Sequence, residues 1–318
     1  MPIYPSTRQL EILCTLAHTR SFSRSAEIMN LSQSALSQAV QQAETLLGVQ
    51  LFHRTKRMVA PTKPAMHFLA QAERFLSNLD GAIAELRNDS DPAQGRVEVA
   101  CLASISVKLL PGVVRAFRAA HPNAVVRVRD DDPDGIVRRV RTGMVDLAIS
   151  LMFEPDTGVL FRPLIEDDMR VICRRGHPLS RREHIAWEDL AEFDLVAMAR
   201  GTGIRALIDR HLPGLDLFKD ATYEVARVPS VLDVVEQSDC VSVIPALMLA
   251  APDVDRRFHH RPLIDPVITR PIGLITAVDA VLSATAQAFS DVLIRRLRTV
   301  DAKKFPHIRF SASLAESS

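Results

Sequence analysis

The sequence is poor in aromatic residues and has no long apolar run. Aromatic side chains make up 5% of the 318 residues, with a single Trp and two Tyr. A membrane-spanning helix needs roughly 20 consecutive apolar residues, and no stretch approaches that length. The start of the chain also lacks the apolar core of an export signal. We therefore expect a cytoplasmic protein with no membrane partner.

Cysteine is scarce as well, and its spacing excludes two common frameworks. The cysteines lie far apart, so they lack the close pairs of a zinc site or of a disulfide-rich domain. We interpret them as reduced thiols, and the alternative is a redox sensor. The four residues are Cys14, Cys101, Cys173 and Cys240.

Catalytic motifs are also missing. Ser104, His259 and the many Asp residues could supply hydrolase groups, but no Gly-x-Ser-x-Gly elbow, HExxH pair or phosphate-binding loop accompanies them. His259 and His260 stand beside Arg256 and Arg257, which favours a polar loop over a metal site. We predict a protein that is not an enzyme, with no cofactor and no metal.

The composition is that of an ordinary soluble protein, with 47% hydrophobic and 24% charged residues and a net charge of +1. Its length favours two or three domains. The charge is unevenly distributed, because residues 1–61 hold six Lys or Arg and three Asp or Glu, and six minus three leaves +3. Such an excess at one end permits contact with phosphates.

Short helices are predicted in the first fifty residues. After an amphipathic first helix, a second one begins with Ser23 as N-cap and ends at Asn30, a residue that tolerates left-handed backbone. A third helix has Ser32 as N-cap and stops at Gly48. A tight turn joins the second and third helices, and the small Ala26 allows them to cross closely. Together these features indicate a helix-turn-helix.

The third helix has two faces of different character. One face is apolar at helical spacing, with Leu36, Val40, Ala43 and Leu47. The other carries Ser and Gln where a solvated surface usually has long charged side chains, so a merely solvated face is the weaker alternative. In a helix-turn-helix the second helix enters the major groove, and Gln and Ser can pair with base edges. This polar face comprises Ser34, Ser37, Gln38, Gln41 and Gln42.

The segment LFHRTKRMVAPT that follows predicts a strand, a basic turn and a second strand. Such a wing can place Arg54, Lys56 or Arg57 against phosphates. Basic turns are common, so the predicted wing supports the helix-turn-helix assignment but is a weak signal by itself.

The stretch from Ser21 to Thr55 resembles the winged helix-turn-helix of LysR-type transcriptional regulators. That family has Ser at the position of Ser37, an acid at Glu44, and a Gly-Val-x-Leu-Phe-x-Arg ending that here closes at Arg54. The resemblance implies double-stranded DNA as partner, with a dyad-symmetric operator. It assigns Ser32, Gln33, Ser34, Ser37 and Gln38 to DNA and Arg54 to the DNA backbone. With the residues suggested by the polar face and the wing, the positions predicted for DNA contact are Ser23, Ser32, Gln33, Ser34, Ser37, Gln38, Gln41, Arg54, Lys56 and Arg57.

A heptad-like seam follows in HFLAQAERFLSNLDGAIAELRND, where apolar residues recur at spacings of 3 and 4. This favours a helix that pairs with a second copy, and packing on its own domain is the alternative. The resemblance implies a linker helix and a homo-oligomer, either dimer or tetramer. Relatives usually have Leu-Thr-x-Ala-Gly where this chain has PTKPA; Pro64 can stand in the first helical turn, and the alternative is a helix that starts a little later or at a different angle. The predicted dimer contacts are Leu69, Leu76, Leu79, Ile83 and Leu86.

Strand and helix patterns alternate after the turn-rich joint SDPAQG. One series runs from RVEVACLAS to VDLAIS, and a second from MRVICRR to CVSVIP. Such alternation predicts a parallel α/β sheet in two lobes, with a cleft between them. The pieces LLPGVVRAFRAAHP, GMVDLAIS, HPL, VIP and LSATAQAF resemble the periplasmic-binding-protein-like effector domain of the same family.

We thus predict an α/β protein with an N-terminal winged helix-turn-helix, a linker helix and a two-lobed, Rossmann-like α/β effector domain. The tail after Lys304 shows no clear period and is predicted to be mobile. The predicted boundaries are 1–62 for the DNA-binding domain, 63–89 for the linker, 95–304 for the effector domain (lobe I about 95–165 and 270–304, lobe II about 166–269), and 305–318 for the tail.

The resemblance also implies a small-molecule effector between the lobes, held by a hydroxyl at Ser104 and by the turn RGTG. Both precede or begin helices, where free N–H groups and the helix dipole favour an anion such as a carboxylate. The alternatives are that Ser104 and Thr202 are plain N-caps and that Arg200 is a solvated surface residue. The implied contacts are Ser104, Ser106, Asp132, Arg200, Gly201, Thr202, Gly203 and Val228.

These observations predict a LysR-type regulator whose promoter binding or DNA bending is controlled by an effector. The alternative is a two-lobed solute-binding protein without a regulatory role, against which the DNA-reading unit argues. Ser238, Asp239 and Cys240 replace the Gly-Leu-Gly that is frequent in the family. The ligand preference of relatives is therefore not assumed for this chain.

Overall fold

The computed structural model describes residues 4–54, 59–86, 95–250, 254–299, 305 and 307–311. They fall into two units, one helical and N-terminal, the other α/β and C-terminal. Within the described ranges, no helix is long and apolar enough to cross a membrane.

The N-terminal unit is a set of helices followed by a two-stranded ribbon and a long helix. The elements are α1 Thr7–Thr19, α2 Phe22–Met29, α3 Gln33–Leu47, β1 Phe52–Arg54, β2 Val59–Pro61 and α4 Lys63–Leu86. Leu13, Leu16, Leu36 and Phe52 are fully buried in the core that the helices share with the ribbon.

Local capping decides where these helices begin and end. The hydroxyl of Ser21, and not that of Ser23, accepts the backbone N–H of Arg24 at 3.3 Å, so α2 begins two residues earlier than predicted. The reason is geometric, because an N-cap must have extended backbone and only Ser21 precedes the first helical residue. Asn30 ends α2 in the left-handed conformation and Gly48 ends α3, both as predicted.

The start of α4 agrees with the interpretation that Pro64 stands in the first helical turn. The helix begins directly at Lys63, with Pro64 in its first turn, and Thr62 caps it by accepting the N–H of Ala65 at 3.3 Å. Proline is tolerated in the first turn because its missing N–H would have no partner within the helix. The sequence PTKPA therefore does not delay the helix.

The C-terminal unit alternates strands and helices. Its elements are β3 Arg96–Cys101, α5 Ala103–Lys108, α6 Leu110–Ala120, β4 Val125–Asp130, α7 Pro133–Arg141, β5 Leu147–Ser150, β6 Val159–Arg174, β7 Ile185–Ala186, β8 Leu195–Met198, α8 Gly203–His211, β9 Tyr223–Val225, α9 Val228–Gln237, β10 Val241–Pro245, α10 Val254–Arg257, β11 Phe258–Ile264, β12 Thr269–Ala277, α11 Ala284–Arg298 and β13 Ile308–Phe310.

The strands form one mixed sheet with the order β4-β3-β5-β12-β6-β10-β8-β9. The pairs of β3 with β4 and β5, and of β8 with β9 and β10, are parallel. The strands β6 and β12 run antiparallel to their neighbours. The predicted all-parallel sheet is therefore wrong at its centre, where the chain passes to the second lobe along β6 and returns along β12.

Each lobe has its own apolar core. Phe117 and Phe289 meet edge to face at 5.2 Å in lobe I, where α6 and α11 cover the sheet. In lobe II Trp187 is fully buried, and its indole N–H donates to the carbonyl of Pro266 at 2.9 Å. Phe153 packs against both cores. The two lobes are thus separate packing units joined by a shared sheet.

The tail after Lys304 is not unstructured where it is described. Ile308–Phe310 form β13, which pairs antiparallel with β6, and Ile308 is buried. The prediction of a mobile tail is wrong for these residues because strand pairing needs a partner strand that local periodicity cannot reveal. Residues 312–318 lie outside the described residues.

Candidate DNA interface and effector site

The polar face of α3 is exposed, while its apolar stripe is buried. Leu36, Val40 and Ala43 have no exposed surface, and Leu47 is half-buried. Ser37 is half-buried on the opposite side. The exposed positions predicted for DNA contact are Ser23, Ser32, Gln33, Ser34, Gln38 and Gln41.

The turn between α2 and α3 is fixed by short polar contacts. Ser32 caps α3 by accepting the N–H of Ala35 at 3.1 Å. The hydroxyl of Ser23 donates to Oε1 of Gln33 at 3.3 Å, which joins the start of α2 to the start of α3. The first turn of α3 is therefore held with its side chains accessible, as base reading requires.

The wing is a short antiparallel ribbon in which Phe52 pairs with Pro61 and Arg54 with Val59. Lys56 and Arg57 lie outside the described residues, as does the side chain of Arg54. The backbone places Arg54 at the end of β1.

Glu44 is a positioning residue that the prediction missed. Its Oε1 accepts the backbone N–H groups of Leu51 at 2.8 Å and of Phe52 at 3.1 Å. The carboxylate thereby ties the last turns of α3 to the first strand of the wing. The available signal was an acid inside a helix with mostly uncharged neighbours, eight residues before a strand.

The predicted dimer seam on α4 divides into two parts. Leu69 is 3% exposed and packs in the core of its own unit, so the prediction that it faces a second copy is wrong. Its burial follows from the packing of α4 against α1. Leu76 and Leu79 are half-buried, and Ile83 is exposed. The side chain of Leu86 lies outside the described residues.

Ser104 lies in a buried polar network at the junction of the lobes. It sits in the first turn of α5, whose N-cap is Leu102, so Ser104 is not an N-cap. Arg270 Nη2 donates to Ser104 Oγ at 3.3 Å, and Arg270 forms an ion pair with Asp167. Asp167 also accepts the N–H of Leu247 at 2.9 Å.

The charged and polar groups of this network are buried, and some of their hydrogen-bonding capacity is unused within the part of the chain that the structure describes. Arg270 is 3% exposed and Asp167 is fully buried. Arg270 Nε is buried and has no hydrogen-bond partner among the described residues. Because Ser104 accepts a hydrogen bond from a cation, its own O–H remains available to donate. The prediction named Ser104 but missed Arg270 and Asp167.

The turn Arg200 to Gly203 leads into α8. Gly201 has φ of +87°, a conformation that favours glycine. A Cβ on Gly203 would lie 2.7 Å from Pro133 Cδ, so only glycine allows this close approach between the starts of α7 and α8. Arg200 is exposed. The structure thus brings the predicted turn close to Asp132, which precedes Pro133.

Several predicted effector contacts also have local structural roles. Thr202 caps α8, because its hydroxyl accepts the N–H of Arg205 at 3.3 Å and donates to the carbonyl of Ala199 at 2.8 Å. Asp132 caps α7 by accepting the N–H of Gly135 at 2.8 Å. Ser106 is half-buried within α5, and Val228 is half-buried as the first residue of α9. The N-cap interpretation therefore holds for Thr202.

The cysteines are all buried and free. Burial raises the pKa of Cys14 and of Cys101 to about 12, and that of Cys173 to about 11. Since the thiolate is the reactive form, thiols with such pKa values are poor nucleophiles at neutral pH. This favours reduced, unreactive thiols over a redox sensor.

A helix-turn-helix with a wing, followed by a two-lobed α/β unit, defines a DNA-binding regulator with an effector-binding domain. A family model described as "Bacterial regulatory helix-turn-helix protein, lysR family" matches residues 7–66, and one described as "LysR substrate binding domain" matches residues 90–298. The chain belongs to the LysR family of transcriptional regulators. It is a regulator and not an enzyme, as predicted.

Relatives at moderate identity include regulators from distant bacteria. The chain is 29% identical over 279 residues to the HTH-type transcriptional regulator YbhD of Escherichia coli, covering 88% of both chains. It is 28% identical over 270 residues to a probable nitrogen assimilation transcriptional activator of Synechococcus elongatus, covering 84% of this chain and 87% of that one.

Solved structures share the fold. A full-length OxyR variant from Pseudomonas aeruginosa gives a TM-score of 0.72 at 22% identity, covering 96% of this chain and 98% of that one. Full-length CbnR complexed with its target DNA gives 0.64 at 20% identity, covering 92% and 99%. At these identities the likeness concerns the fold alone.

Proposed function

We propose that a small anionic effector, of the carboxylate class, binds beside Ser104 and controls how this regulator binds or bends its promoter. The observation that carries the proposal is the hydrogen bond from Arg270 to Ser104. A hydroxyl that accepts from a guanidinium is a better donor to an anion, and the buried Arg270 Nε offers a second donor. Asp167 balances the charge of Arg270 before the effector arrives.

The second half of the proposed site is the start of α8. The first N–H groups of a helix have no partner within it and carry the positive end of the dipole. The turn with Gly201, Thr202 and Gly203 therefore suits an anion. The carboxylate of Asp132 already occupies the start of α7, so the anion is expected nearer to α8.

For DNA, we infer that the exposed first turns of α3 read bases in the major groove and that Arg54, Lys56 and Arg57 contact phosphates. Two copies are proposed to pair along the outer face of α4. Phe75 is 55% exposed and Ile83 is 37% exposed there, which is costly for large apolar side chains unless a partner covers them. A symmetric dimer matches a dyad-symmetric operator.

The test uses full-length protein and operator fragments recovered from a genome-wide map of bound DNA. A panel of small carboxylates is screened for a rise in Tm, and each hit is assayed for its effect on operator binding. Ser104→Ala is expected to abolish the Tm rise and the response while operator binding persists. Thr222→Val, an exposed threonine of lobe II, is the matched control. A full response in Ser104→Ala would exclude this site.

A further inference from the structure

The strand β6 changes partners at the junction of the lobes. Its first part pairs with β12 as far as Asp168, which lies opposite Thr269. From Met169 onward it pairs with β10, and from Arg170 with β11. Any movement of one lobe relative to the other therefore bends or twists β6 between Asp168 and Met169.

The C-terminal strand β13 lies on β6 just before this change. Ile308 pairs with Asp167 and Phe310 with Ile165, and the N–H of Ser311 donates to the carbonyl of Leu164 at 2.9 Å. Ile308 is buried, and Phe305 and Phe310 pack against the core of lobe I. The segment is thus anchored in lobe I by both backbone and side chains.

Arg309 of this segment binds the acids on both sides of Asp167. Its Nε lies 3.0 Å from Glu166 Oε2, and its Nη1 lies 2.7 Å from Asp168 Oδ2. Its Nη2 also donates to Thr269 Oγ1 at 3.4 Å. Because side chains alternate along a strand, Arg270 neutralises Asp167 on one face of β6 while Arg309 neutralises its neighbours on the other.

The contact with Arg309 stabilises the charged form of Asp168. Burial alone would raise the pKa of Asp168, but hydrogen bonds from Arg309 and Thr269 outweigh burial and hold the pKa below its ordinary value. The carboxylate at the last residue of β6 before the change of partners therefore keeps its negative charge to lower pH because of the contact with Arg309.

The same segment reaches lobe II through His307. Its ring meets that of His260 on β11 edge to face, with the centroids 5.1 Å apart. His260 Nδ1 in turn accepts a hydrogen bond from Arg170 Nε at 3.2 Å. Residues 305 and 307–311 therefore contact both sides of the junction.

We propose that Phe305 and residues 307–311 form a strap that restrains the movement of the two lobes, with Arg309 and His307 as its positioning residues. Lobe movement would have to separate His307 from His260, while the contacts of Arg309 with Glu166 and Asp168 hold the strap on β6. Arg309 is half-exposed, and solvent weakens such ion pairs, so the strap can be released without unfolding either lobe. This inference rests on the proposed binding of an effector beside Ser104, at the junction of the lobes, and adds an element that determines how readily the lobes move.

The test is hydrogen exchange of the full-length protein without ligand. Arg309→Gln and His307→Ala are each expected to speed exchange at Ser242, Val243 and Ile244 of β10 by about threefold or more, as local opening becomes easier. Arg309→Lys, which keeps the charge, is expected to restore slower exchange in part. Arg115→Gln, an exposed arginine of α6, is the control and should leave β10 unchanged.

Exchange that rises only within β13 and at Leu164–Asp167 in both variants would show a merely local structural role and would overturn the strap. Unchanged exchange everywhere would overturn it as well. Binding to DNA fragments selected by the wild-type protein is measured in parallel. If the wild-type protein shows no effector response, the proposed function is contradicted. Faster exchange of β10 in Arg309→Gln and His307→Ala would still support the strap.

Discussion

Replacing Glu44 should release the wing from the recognition helix. In Glu44→Ala the N–H groups of Leu51 and Phe52 lose their acceptor, and both residues are buried, at 2% and 0% exposure. A buried donor left without a partner costs about 1–3 kcal/mol, so two of them should destabilise the N-terminal unit by about 2–6 kcal/mol. Glu44→Gln keeps an acceptor oxygen and loses only the charge, so about half that cost is expected.

The single tryptophan makes this measurement selective. Trp187 lies in lobe II, so its fluorescence follows unfolding of the C-terminal unit, while far-UV circular dichroism follows the helices of both units. In Glu44→Ala the dichroism should show an unfolding transition at lower denaturant, with the Trp187 transition unchanged. Glu27→Ala, an exposed acid on α2, is the control. Equal stability of the Ala and Gln variants, or a shifted Trp187 transition, would refute the reasoning.

Three further predictions concern DNA reading, pH and thiol reactivity. Gln33→Ala should weaken specific DNA binding by about 1–3 kcal/mol and spare non-specific binding, whereas Thr45→Ala at the far end of α3 should change neither in a binding titration. Burial lowers the pKa of His177 below its ordinary value of 6.5, and it outweighs the hydrogen bond between Nε2 and the carbonyl of Asp239 at 3.0 Å, which by itself would raise the pKa. Its stabilisation is therefore complete above pH 6.5 and lost as the pH falls below it, so the Trp187 unfolding midpoint should drop more steeply in wild type than in His177→Gln. In native protein at neutral pH all four thiols should resist alkylation, with rapid labelling only after denaturation, and fast labelling of any one would contradict the assigned burial.

Local signals predicted the DNA-binding unit well. Ser32, Asn30 and Gly48 mark helix ends because each acts on backbone groups within four residues. The two faces of α3 follow from a repeat of 3.6 residues, and their burial is confirmed. The N-cap of α2 was misplaced by two residues because Ser21 and Ser23 are equally good caps in isolation.

The alternation of strands and helices in the effector unit was predicted correctly, but the strand directions where the two lobes join were not. Alternating patterns identified the main strands and helices, but β7, β9, α9, α10, β11 and β13 were not recognised. An alternation of strands and helices suggests parallel pairing, yet the direction of β6 and β12 depends on how the chain crosses between lobes. Local pattern contains no information on such crossings.

The sequence by itself determined the helix-turn-helix, the polar reading face and the family, because each depends on residues close together along the chain. Only the tertiary structure decided that Leu69 packs in the core of its own unit, that Arg270 donates a hydrogen bond to Ser104 and that Arg309 forms ion pairs with the acids of β6. Arg270 is 166 residues from Ser104 and 103 from Asp167. Contacts over such distances arise when sheet pairing and apolar burial bring separate strands together.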